Sequence, residues 1–153
     1  MRTIMALGLL VLVTASAFAH VTVAPQQAPA GASQVYKVRV HNDGKTPTSS
    51  IALEIPEGVA IESVAPTATG KSDMTKKGDR VTMITWQIEV PVGKYVELAF
   101  TARNPAAGSQ LNWNITEKFT DGGTIEFTDK PGAKEKSSIT KLTRVSAAAV
   151  PAK

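Results

Sequence analysis

Hydrophobic and polar residues alternate with a period of two along most of this chain. Tyr36, Val38 and Val40 are interleaved with Lys37 and Arg39, and Ile51, Leu53 and Ile55 with Ala52 and Glu54. Ile84, Trp86, Ile88 and Val90 alternate with Thr85, Gln87 and Glu89, and Val96, Leu98 and Phe100 with Glu97 and Ala99. Successive side chains of a strand point to opposite faces, so each run predicts a strand with one buried and one wet face. Turn residues separate the runs: Pro56-Glu57-Gly58, Lys77-Gly78-Asp79, Pro91-Val92-Gly93, Asn104-Pro105 to Gly108, and Asp121-Gly122-Gly123. No segment carries a helical stripe. The pattern predicts an all-β fold, an immunoglobulin-like antiparallel β-sandwich of about seven to eight strands. Val59 to Ala65 reads as an extra strand and Thr67 to Lys77 as a loop.

Both ends differ from this middle. Met1 and Arg2 precede the apolar run Ile4 to Val13, and small residues close with Ala17-Phe18-Ala19. That is the layout of a secretory signal peptide cut after an A-x-A site, and the run is too short to span a bilayer as a helix. Residues 1–19 are therefore expected to be removed, leaving His20 as the first residue of a periplasmic or secreted chain with no membrane span. From Asp129 onward Lys, Ser, Thr and Ala dominate. Residues 20–128 are read as the folded domain and 129–153 as a flexible tail.

Composition narrows the function. There is no cysteine, which excludes disulfides, thiolate metal sites and cysteine nucleophiles. The net charge of +4 comes without a basic stripe interleaved with aromatics, so nucleic acid is not an expected partner. No Ser-His-Asp order, catalytic carboxylate pair or phosphate-binding glycine loop points to an enzyme.

The chemistry that remains begins at His20. A histidine at a free N-terminus offers its α-amine and its imidazole Nδ1 together, closing a chelate ring on a metal. The amine titrates near 8, so a metal displaces its proton at neutral pH, and nitrogen donors with tetragonal preference suit Cu(II). An exposed terminal histidine without a role is the plainer alternative.

For a completing oxygen, Leu111, Trp113, Ile115, Glu117 and Phe119 share one strand face, and four of the five are large and apolar. Glu117 thus belongs to the core face, where a carboxylate needs a cation or a hydrogen-bond network. Otherwise a bulge turns it outward, or Arg103 or a lysine neutralises it. His41, the other histidine, falls on the outward face with Val35, Lys37 and Arg39. As a ligand it would complete the two-histidine brace of copper oxygenases.

The segments HVTVAP, VYKVRV, IALEIPEGV, TMITWQ, PVGKYVELAFTARNP and LNWNITEKFTDGG occur in this order from His20 to about Thr128. In that order they resemble the YcnI-like family of bacterial exported domains. The resemblance implies a β-sandwich that holds Cu(II) through the mature N-terminal histidine and a carboxylate, with a tryptophan nearby. It implies a role in copper homeostasis or delivery, with the copper ion and other copper-handling proteins as partners. Where the family has Val-Pro-x-Glu, this chain has Val40-His41-Asn42-Asp43, which makes Asp43 a second carboxylate candidate. Glu117 stands where the family often has Gln. The late tryptophan is Phe127 here, so Phe127 or Trp113 is the expected aromatic neighbour of the metal.

Overall fold

The computed structural model describes residues 20–144. The expected signal peptide, 1–19, and the end of the expected tail lie outside them. Among the described residues there is no helix. The strands are β1 (Val21–Ala24), β2 (Gln27–Pro29), β3 (Ser33–His41), β4 (Thr48–Glu54), β5 (Ala60–Val64) and β6 (Lys71–Lys77), then β7 (Arg80–Val90), β8 (Tyr95–Arg103), β9 (Gln110–Trp113), β10 (Ile115–Phe119), β11 (Thr124–Phe127) and β12 (Ser138–Thr143).

They form one sheet in the order β1-β3-β8-β5, a second in the order β11-β10-β4-β7-β6, and a small third sheet, β2-β12-β9. All pairs are antiparallel except β2 with β12. The inward residues of the alternating runs make one apolar core. Its centre joins the three sheets through aromatic rings. Phe100 of β8 packs on Tyr36 of β3 with centroids 5.4 Å apart, on Trp113 of β9 at 5.7 Å and on Trp86 of β7 at 6.4 Å. Such offset and tilted pairs stabilise beyond the area they bury.

Two expectations are corrected. The segment read as a loop, Thr67 to Lys77, contains β6, a strand exposed at every residue and paired with β7. It presents no buried face, so it shows no alternation. The strand exists because β7 offers an open row of backbone groups and Gly78, at φ +62°, closes the hairpin.

The tail does not begin at 129. Ser138–Thr143 is β12, the middle strand of the third sheet, so the folded domain runs to 143. Its inward positions are Ser138, Thr140 and Leu142, two of them hydroxyls, which disguised a buried strand as a polar segment. Each hydroxyl has a defined partner. Thr140 is fully buried, accepts from the Trp113 indole N–H at 3.0 Å and donates to the Pro25 carbonyl at 2.8 Å. The Ser138 hydroxyl accepts from the Val23 amide at 2.9 Å. These bonds tie β1 and the residue after it to β12, and so hold β1 in place.

Candidate metal centre

His20 directly precedes β1. The β1–β3 register pairs Val21 with Val40, and the His41 amide donates to the His20 carbonyl at 2.9 Å. The ladder therefore continues one step past β1 and sets the two histidines opposite each other. Past His41 the chain turns on Asn42, which is fully buried. Its side-chain amide donates to the carbonyls of Val90 at 2.8 Å and Thr46 at 3.0 Å, and its Oδ1 accepts from the Gly44 amide at 2.8 Å. A buried amide with its donors and acceptor engaged fixes the turn, and the turn delivers Asp43 to His20.

One carboxylate meets both imidazoles. Nδ1 of His20 contacts Oδ2 of Asp43, and Nδ1 of His41 contacts Oδ1 at 2.7 Å. The His41 hydrogen bond first, then that of His20 and the two imidazoles' charge, hold the Asp43 carboxyl below its ordinary range.

Glu117 comes from the second sheet. It lies mid-strand in β10, paired with Ile51 of β4 and Ile125 of β11, and only 1% of its surface is exposed. The register of β10 against β4 shifts only between Lys118 and Phe119, where Ser49 of β4 is the extra residue, past Glu117, so the carboxylate keeps its core-facing place. Arg103 does not neutralise it: that guanidinium pairs with Glu62 on the outer face of the first sheet. Burial pushes the Glu117 carboxyl up, against a 2.6 Å hydrogen bond from the Thr48 hydroxyl and the nearby His20.

His20, Asp43 and Glu117 converge on one small cleft of about 70 Å³, whose other walls are Gly44, Phe119 and Ile125. That volume has room for an ion together with a few waters. The lining carries two carboxylates and no lysine or arginine. One imidazole, two carboxylates and, on a chain beginning at His20, an α-amine are an N,O donor set of the kind Cu(II) takes. Among the described residues no three His, Asp or Glu side chains already stand grouped at ligating distance, so the fit to a metal ion is one of donor chemistry. Its physical basis is Glu117, because a carboxylate so deeply buried gains from a cation.

The aromatic neighbour is not one of those expected. Trp113 stands in the central ring cluster, 4.9 Å from Tyr36, with its N–H given to Thr140. Phe127 is buried opposite Ile115. Neither lines the cleft. Phe119 does, and it was visible as an inward position of β10. Gly44 was missed altogether: a Cβ there would sit 2.7 Å from Cε1 of Phe119, so the absence of a side chain lets the ring close the cleft.

The fold and this cleft define a class: an immunoglobulin-like β-sandwich with a histidine–carboxylate site between the start of its first strand and the opposing sheet. Residues 20–143 match the family described as "Domain of unknown function (DUF1775)", and the chain belongs to that family, the YcnI-like one. It is 29% identical over 139 residues to the copper-binding protein CutI of Bacillus subtilis (strain 168), covering 89% of this chain and 68% of that one. In structure it is similar to an uncharacterized protein from Nocardia farcinica with an immunoglobulin-like fold. The TM-score is 0.71 at 16% identity, over 82% of this chain and 99% of that one.

Proposed function

We propose that this protein is an exported copper-binding protein that takes Cu(II) as cargo for copper homeostasis or delivery. Removal of residues 1–19 frees the α-amine of His20. The amine and Nδ1 grip the ion, and Glu117 and Asp43 supply oxygen. The observation that carries this reading is the buried Glu117 carboxylate facing His20 across the cleft. The naming of its Bacillus subtilis relative as copper-binding supports the choice of metal, and the apolar run before Ala17-Phe18-Ala19 supports export. His41 is not counted as a second nitrogen of a brace, because it does not line the cleft that His20, Asp43 and Glu117 share. The protein is accordingly read as a carrier rather than an oxygenase.

The test is Cu(II) titration of the chain beginning at His20, beside the same chain with its α-amine acetylated. Acetylation turns the amine into an amide with no terminal amine left to anchor a chelate. One ion is expected per chain, with affinity about 100-fold weaker for the acetylated chain because the second attachment is lost. Equal affinities would remove the chelate from the reading.

A further inference from the structure

We propose that His41 is a positioning residue of the metal centre, holding the Asp43 carboxylate toward His20 when the ion binds. This rests on the reading of the cleft as a Cu(II) site and adds a residue to it.

The reason lies in how Asp43 is held. Asn42 anchors the turn backbone, but the Asp43 side chain is 43% exposed and has only the two imidazoles as side-chain partners among the described residues. Its Oδ2 meets Nδ1 of His20. That nitrogen is also the ring atom that the chelate needs. An ion bound there displaces the proton that joins His20 to Asp43, and the carboxylate loses that tether as it becomes useful. His41 keeps the other oxygen, Oδ1, at 2.7 Å.

His41 can do this because the β1–β3 ladder fixes its place opposite His20. Cross-strand neighbours of this kind stand about 5 Å apart at Cβ, close enough for one carboxylate to span both rings. His41 therefore acts through Asp43, and the ion need not touch it. Partners that orient ligands in this way are typically worth about 10-fold to 100-fold in metal affinity.

The experiment uses the chain beginning at His20 and reads Cu(II) affinity, the electron paramagnetic resonance spectrum and the melting temperature of the metal-free protein. His41→Leu should weaken binding by about 10-fold, change the spectrum and leave the melting temperature nearly unchanged. His41→Asn, whose amide nitrogen occupies the place of Nδ1, should restore most of the affinity and the original spectrum. In an Asp43→Asn background, His41→Leu should cost nothing further, since residues acting through one contact are not additive. Binding that ignores His41→Leu overturns the positioning role alone. A loss that persists in the Asp43→Asn background, with a nitrogen coupling missing from the spectrum, makes His41 a ligand and also overturns it. Failure of the unaltered chain to bind Cu(II) overturns the reading of the cleft, and the positioning role with it.

Discussion

The Thr48 hydroxyl donates to Oε1 of Glu117 at 2.6 Å, and both residues are buried. One neutral hydrogen bond only partly offsets the desolvation of a carboxylate. The metal-free domain therefore carries an acid in its core that favours the protonated form.

Glu117→Gln keeps the shape and removes the charge. Metal-free protein carrying it should melt at the same temperature as the unaltered chain or higher at neutral pH. Its Cu(II) affinity should fall by at least about 10-fold, with a changed electron paramagnetic resonance spectrum. Calorimetric titration and spectra of the two proteins check both halves. If affinity and spectrum are unchanged, Asp43 is the carboxylate that matters.

The same group sets a pH dependence. The Glu117 carboxyl is raised above its ordinary value of 4.5 by burial, so between the two values the folded state binds more protons than the unfolded chain. Stability from this group is complete below about 4.5 and is lost as pH rises through the raised value. Melting temperatures of the metal-free protein, relative to Glu117→Gln, should decline across that interval and then level off. A rise with pH in the same comparison would contradict the burial of the charge.

Gly44→Ala tests the wall of the cleft. The new methyl meets Cε1 of Phe119 at 2.7 Å and Oδ1 of Asn42 at 3.0 Å, so the ring must swing away or the turn must shift. A stability cost of about 1–3 kcal/mol is expected from overpacking, together with a disturbed copper spectrum. Denaturant unfolding measures the first effect. An unaltered melt and spectrum would mean that Phe119 moves freely and does not shape the site.

Thr140→Val tests the last strand. It strands the buried Trp113 N–H and the Pro25 carbonyl, at a cost of about 1–3 kcal/mol. Ending the chain at Asp129 removes β12 altogether and should lower the melting temperature by at least about 10 °C. Thermal melts decide this directly, and an unchanged melt of the shortened chain would return Ser138–Thr143 to the status of an appendage.

Alternation by itself determined the all-β class, the inward faces of β3, β4, β7 and β8, and the core-facing position of Glu117, because side-chain direction in a strand is a local property. Family membership was also legible, in segments spread along most of the domain. Local pattern could not reveal β6, which has no buried face, or β12, whose inward face is largely hydroxyl. Both are strands only because another strand supplies their hydrogen-bond partners. The cleft was decided the same way. His20 stands at the head of the first strand, Asp43 past the third and Glu117 within the tenth, and only sheet pairing brings them together. Trp113 and Phe127 were close to Glu117 in sequence, yet packing turned both into the core and left Phe119 at the cleft. Nearness along the chain does not specify which side chains meet, because that depends on register between strands far apart in sequence.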